Sequence, residues 1–220
     1  MEKILTFLKA LAKNNNREWF EKNKRKYVDA RQEFEIFISN LLDELILFDK
    51  RLAGLDPRKL PFRIYRDVRF SKDKKPYKIN LGAGISPGGK MMQEPGYYIH
   101  IQPNGKSFLA GGFYQPTSDK LARIRQEIDY NFAALSKVMA NPKFRSWFKT
   151  LDDFDKLKTA PRGYPKDHPH LELLKHKSYI VAHYFTDAEV TNRRFLKKVS
   201  EGCRVMKPFN DFLNVAVQVQ

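Results

Sequence analysis

The apolar positions of the first fifty residues recur at helical spacing: Ile4, Leu8 and Leu11, then Tyr27, Phe34, Ile38, Leu41, Leu45 and Phe48, with neither Gly nor Pro between Met1 and Ala53. The spacing predicts a short helix followed by a long one ending near Phe48. Asn14-Asn15-Asn16 marks the break, with Asn15 expected to cap the second helix and Glu18 to complete a capping box. Trp19 and Phe20, in its first turn, join Phe34 and Phe37 as core candidates. The period then shortens to two. Residues 62–70 alternate as a short strand and 79–86 read as a Gly-punctuated one. Strands over 97–103 and 106–113 flank Asn104-Gly105, the pair that a two-residue type I′ turn favours. That turn sets Tyr97 opposite Gly112, Ile99 opposite Ala110 and Ile101 opposite Phe108 on an apolar face. On the mostly polar face it sets Tyr98 opposite Gly111, His100 opposite Leu109 and Gln102 opposite Ser107. On the neighbouring strand Ile79, Leu81, Ala83 and Ile85 extend the apolar face, and Asn80, Gly82, Gly84 and Ser86 lie on the other. Helical spacing returns over 121–135 and 144–151, a strand follows over 178–185, a basic amphipathic helix spans 188–206, and Pro208 is expected to open a last short helix.

These elements define an α+β protein: a small, largely antiparallel sheet, a meander with an Asn-Gly hairpin, packed on long helices. No Pro/Gly/Ser-rich linker, low-complexity block or internal repeat interrupts the 220 residues, so one domain over 1–220 is expected. Cys203 is the single cysteine, which excludes an intrachain disulfide and suits a reducing compartment. Glu2, Lys3 and Lys9 interrupt the apolar residues of the opening segment, and no apolar run reaches transmembrane length. A cytoplasmic protein without integral membrane association is expected.

Charge changes the picture. Lys and Arg number 41 against 25 Asp and Glu, a formal net charge of +16. Residues 58–78, RKLPFRIYRDVRFSKDKKPYK, hold nine of those cations and two Asp, with Phe62, Tyr65, Phe70 and Tyr77 interleaved. Cations crowded this closely repel one another, and carboxylates elsewhere in the fold or an anionic ligand relieve the repulsion. As a strand, 62–70 places Arg63, Tyr65, Asp67 and Arg69 on one face and Phe62, Ile64, Arg66, Val68 and Phe70 on the other. Phe62 and Phe70 then anchor the strand, and Arg66, on an apolar face, requires a structural carboxylate or a bound anion. Lys72, Lys74, Lys75 and Lys78 read either as anion contacts or as a solvated loop. Tyr98 and His100 project from the polar sheet face, as a ligand floor or as a surface pair packed beneath a helix. The candidate ligand contacts are Arg63, Arg66, Arg69, Lys72, Lys74, Lys78, Tyr98 and His100.

No catalytic signature accompanies them. Gly84, Gly89 and Lys90 have P-loop spacing, but Met91 replaces the required Ser or Thr and Pro95-Gly96 leaves no room for a helix. Ser71 and Lys74 form an S-x-x-K pair without the companion motifs of penicillin-binding enzymes. Asp167, His168, His170 and Glu172, with His176 and His183 nearby, are potential metal ligands without a diagnostic spacing, and neither a metal nor a cofactor is expected. The favoured function is binding of a phosphorylated ligand or nucleic acid. One alternative is an enzyme acting on a small phosphorylated or carboxylated substrate, with His100 as acid/base and Arg66 or Arg69 as a charge clamp. The other is a protein-interaction module that meets an acidic partner.

Six blocks carry a family resemblance: NNNREWFEKNKRKYVDAR at 14–31, FRIYRDVRFSKDKKPYK at 62–78, GYYIHIQP at 96–103, GGFYQP at 111–116, PRGYPKDHPHLELLKHKSY at 161–179 and KPFNDFLN at 207–214. The chain resembles domain-of-unknown-function family 2461 through them, in order and across almost its whole length. The resemblance implies one intact domain and brings no established activity with it.

Overall fold

The computed structural model describes residues 1–90 and 94–218. Its amino-terminal apolar stripe forms α1 (Glu2–Lys13), α2 (Arg17–Lys22) and α3 (Lys24–Ile46). The cap of α2 is Asn16 rather than Asn15, its side chain accepting from the Trp19 N–H at 2.9 Å. Asn15 is drawn away by Tyr77: its amide donates to the Tyr77 carbonyl at 2.9 Å and its oxygen accepts the Tyr77 N–H at 3.1 Å. The expected long helix is divided at Asn23, whose side chain donates to the Trp19 carbonyl and so offers the backbone an alternative to continuing the helix.

Four antiparallel strands follow in simple order: β1 (Leu81–Ile85), β2 (Gly96–Ile101), β3 (Ser107–Phe113) and β4 (Tyr179–Phe185). Asn104 and Gly105 both adopt positive φ, 66° and 68°, as a type I′ turn demands. The register is nevertheless one residue away from the one that turn alone dictates, pairing Tyr97 with Gly111, Ile99 with Leu109 and His100 with Phe108. Ser107 explains the shift. Its hydroxyl accepts from the Gln102 N–H at 3.0 Å and donates to the Gln102 carbonyl at 2.9 Å, so the side chain satisfies a residue that the ladder leaves out, as in a β-bulge. The slip exchanges the faces of the β3 side chains: Leu109 turns into the core, and Phe108 and Ala110 turn to the side of Tyr98 and His100.

The remaining helices are α4 (Ser118–Tyr130), α5 (Phe132–Ala140), α6 (Pro142–Phe148), α7 (Leu171–Leu174), α8 (Asp187–Thr191) and α9 (Phe195–Val217). Pro208 does not begin a helix; it lies inside α9. A proline there forfeits one backbone hydrogen bond. The buried stripe of Val199, Cys203, Met206, Phe209 and Leu213 holds the helix through it, packing outweighing local preference. Helix α9 lies along β3 and α3 against β1, on one side of the sheet. Gly111 permits that approach, since a Cβ there would strike Met206 Sδ. Buried Asp49 ties the layers together: it takes both Arg51 Nε and Nη2, at 2.8 and 2.9 Å, and accepts from the Tyr97 hydroxyl at 3.1 Å, while Arg51 reaches Asp211 of α9 at 2.9 Å. Among the described residues no helix is long and apolar enough to cross a membrane.

Candidate functional site

All the helical layer packs against one face of the sheet, where Leu81, Ala83, Ile85, Tyr97, Ile99, Leu109 and Val181 are buried. On the opposite face the cross-strand pairs form rows. One row runs Gly82, His100, Phe108, Tyr184; the next runs Gly84, Tyr98, Ala110, Ala182; Gly112 and Ile180 begin a third. Large rings thus border a strip of small residues, and the strip is a trough. Over β2, β3 and β4 the trough deepens into a cavity of about 430 Å³ lined by Phe62, Lys78, Lys90, Tyr98, Phe108, Ala110, Gly111, Tyr114 and Ile180. That volume is in the range of small-ligand sites.

The basic segment forms one wall, but not as a strand. It doubles back on itself as an irregular hairpin: the Arg66 N–H bonds the Pro76 carbonyl at 2.9 Å and the Lys78 N–H bonds the Ile64 carbonyl at 2.7 Å, with single bridges at Pro61–Ala83 and Tyr65–Tyr77. Cationic side chains occupy carbonyls that a ladder would use. Arg31 takes Phe62 O at 2.8 Å, Arg66 takes Lys75 O at 3.1 Å, and Lys74 takes Val68 O at 3.1 Å and Arg69 O at 3.4 Å. Phe70 anchors nothing, being 96% exposed beneath the Arg69 guanidinium, whereas Phe62 packs towards Tyr98 at the cavity.

The predicted cations therefore divide. Arg66 is paired with Asp73 at 2.7 Å, and Arg69 with Asp67 at 2.7 Å. These pairs and the Lys74 carbonyl contacts hold the loop together internally. Lys72 and Arg63 are exposed on it. Lys78 alone of the group lines the cavity. It is half-buried, its Nζ stands 5.6 Å from the centre of the Phe62 ring, and among the described residues it meets no carboxylate. Burial and, after it, the nearby Arg63 charge push the Lys78 ammonium below its ordinary value.

Tyr98 and His100 are on the open face as the alternation requires. The Tyr98 ring lies flat across β1, in space that only Gly82 leaves free: a Cβ there would come within 2.5 Å of Tyr98 Oη. Burial pushes the Tyr98 hydroxyl up to about 12. His100 Nε2 meets Gln102 Oε1 at 2.9 Å and Nδ1 meets Tyr98 Oη at 3.1 Å, while its ring stacks on Phe108 with centroids 4.6 Å apart. Burial lowers the His100 pKa against a smaller opposing effect of Gln102, so the imidazole is neutral, with Nε2–H as donor and Nδ1 as acceptor for the tyrosine. His100 holds Tyr98 in place, and it is Tyr98 that lines the cavity.

The other histidines are separate. His168 donates from Nε2 to Asp129 at 2.9 Å and accepts the His170 N–H at 3.1 Å, His170 stacks on Phe132, and His183 donates to the Trp147 carbonyl at 2.9 Å. Among the described residues no three His, Cys, Asp or Glu side chains converge as a metal-ion set. Met91, which entered the P-loop comparison, lies outside the described residues. Sequence reasoning missed Lys90, Phe108, Tyr114 and Ile180 as cavity residues. The slipped hairpin register hid Phe108, and nothing local marks Ile180, brought in by its pairing with Gly112, or Tyr114, which lies just past the end of β3.

The fold and site define a class: an α+β protein whose helices back one face of a four-stranded antiparallel meander and whose other face carries a lysine-rimmed aromatic cavity. The chain belongs to the family described as Conserved hypothetical protein (DUF2461), which it matches over residues 3–212. No curated protein and no solved structure matches it.

Proposed function

We propose that the protein binds a phosphorylated ligand carrying a flat ring, of nucleotide type, in the cavity above β2 and β3, in the cytoplasm. Lys78 carries this reading. A half-buried ammonium without a carboxylate is costly unless an anion completes its surroundings, and the segment's paired cations, Arg58, Arg66 and Arg69, already have their acids. Lys90 lines the same cavity and adds a second positive charge, with Arg63 supplying field from the neighbouring wall. Phe62, Tyr98 and Phe108 offer ring faces to a planar group. In this reading Tyr98 and His100 form the floor, the imidazole positioning the phenol.

The test is calorimetric titration with adenosine 5′-monophosphate and with inorganic phosphate. The nucleotide should bind and phosphate bind more weakly. Lys78→Met, which keeps the aliphatic stem, should lower nucleotide affinity about tenfold or more, the worth of one charge-assisted hydrogen bond, with an unchanged Tm. Lys197→Met, at an exposed position of α9, is the control and should change nothing. Absence of nucleotide binding, or equal behaviour of the two variants, overturns the assignment.

A further inference from the structure

The root of Lys78 is fixed on both sides. Its own N–H bonds the Ile64 carbonyl at 2.7 Å, and both polar backbone groups of Tyr77 are held by the Asn15 side chain. The side chain therefore enters the cavity from a set position. Its Nζ stands 5.6 Å from the centre of the Phe62 ring and, among the described residues, has neither a carboxylate nor a hydrogen-bond partner. An ammonium in such surroundings escapes its desolvation cost in two ways, by taking an anion beside it or by losing its proton. Burial first, and the like charge of Arg63 after it, favour the second and lower the Lys78 pKa. The neutral amine is a nucleophile, and desolvation in an apolar pocket together with a neighbouring cation is what activates a lysine towards carbonyl groups. Lys72, Lys74 and Lys75 of the same segment are exposed and lack this setting.

The rest of the cavity narrows the carbonyl compound. Phe62, Tyr98 and Phe108 offer ring faces, which suit a flat group next to the carbonyl. Lys90 lines the same space and, with the field of Arg63, holds a phosphate when Lys78 engages a carbon atom. The Tyr98 hydroxyl does not compete as a nucleophile, because burial keeps it protonated and its proton is directed to His100 Nδ1 at 3.1 Å. Resting on the cavity reading above, we infer that Lys78 is the nucleophile of a Schiff-base site, its amine condensing with the aldehyde of a phosphorylated aromatic ligand. The Nζ lone pair adds to the carbonyl carbon, the C=O π pair moves to oxygen, and that oxygen takes one Nζ hydrogen. The carbinolamine then expels the oxygen as water with the second Nζ hydrogen, leaving a C=N bond between lysine and ligand. Neither an oxidant nor a reductant enters the balance.

Pyridoxal 5′-phosphate, a phosphorylated flat-ring aldehyde, is the probe, used at a concentration equal to that of the full chain. After borohydride reduction of the imine and proteolysis, mass spectrometry should find the pyridoxyl group on Lys78 about tenfold or more above exposed Lys197, through its larger neutral fraction and the ring and phosphate contacts together. Adenosine 5′-monophosphate should shield Lys78 and leave Lys197 unchanged. Lys78→Arg keeps the charge and cannot form the imine. It should reduce the visible absorbance of the imine to the background of exposed lysines, while pyridoxine 5′-phosphate, with an alcohol in place of the aldehyde, binds it within about threefold of wild type. Label spread evenly over Lys78 and Lys197, or absent from Lys78, overturns the inference, and this measurement uses the unaltered protein. If adenosine 5′-monophosphate still binds in that case and Lys78→Met still weakens it, the cavity assignment stands alone. If Lys78 is labelled selectively but phosphate-free pyridoxal labels it equally and the nucleotide gives no protection, the phosphorylated-ligand assignment is the one that fails, and with it the inference that rests on it.

Discussion

Two single residues set the site more than their own chemistry suggests. Asn15 fixes both polar backbone groups of Tyr77, the neighbour of Lys78, and thereby fixes where the lysine enters the cavity. Asn15→Ala is expected to cost about 1–2 kcal/mol through two lost hydrogen bonds. It should also weaken nucleotide binding; urea denaturation and calorimetric titration measure the two, and an unaltered affinity would show that Tyr77 is positioned by other contacts, such as its stack on Phe20 at 3.9 Å. Gly112 is a conformational requirement. Its φ is 111°, and a Cβ there would strike the Tyr179 carbonyl of β4 and approach Phe209 at 2.9 Å. Gly112→Ala should therefore destabilise by about 3 kcal/mol or more, read as a fall in Tm, because strain and a backbone clash add.

At the scale of elements, α8 is held by a capping box in which Thr186 and Glu189 satisfy one another's backbone, and Glu189 also pairs with Lys198 of α9. The Lys198 bond first, then the Thr186 N–H, hold the Glu189 carboxyl at about 2 against a usual 4.5. Asp187, whose burial works against ionisation, is still lowered by the N–H groups of Gly105 and Asn104 and by Lys9. Both carboxyls have lower pKa values folded than unfolded, so their stabilisation is complete above the unfolded value and is lost as pH falls towards the folded one. The urea midpoint is expected to drop between about pH 5 and 2, and Glu189→Gln should make that drop shallower. A variant with the wild-type pH profile would place the acid sensitivity elsewhere. The contact matters for the sheet, because Asp187 bonds the hairpin turn that joins β2 to β3.

For the whole molecule, one buried cluster runs from Ile4 of α1 through the sheet to Val217 of α9, and the Asp49–Arg51–Asp211 chain borders it. The expectation is a single cooperative thermal transition, with calorimetric and van't Hoff enthalpies equal. Two resolved transitions would show that the amino-terminal helices form a unit separable from α9 and the sheet.

Much of this was legible along the chain. Helical and two-residue periods placed the elements, Asn104-Gly105 placed the hairpin, and alternation put Tyr98 and His100 on the face away from Ile99 and Ile101, because side-chain direction follows from local backbone geometry. What periodicity does not contain is competition for backbone groups from side chains and the packing of the finished core. Ser107 bonding Gln102 shifted the register and brought Phe108 to the site; Arg66 and Lys74, capturing carbonyls, kept 62–70 from becoming a strand; the packed stripe of α9 carried a helix through Pro208. The charge of residues 58–78 was evident from composition, but which of its cations is half-buried and left without an acid was decided only in three dimensions, where Asp73 and Asp67 lie within reach of Arg66 and Arg69 and no described carboxylate lies within reach of Lys78.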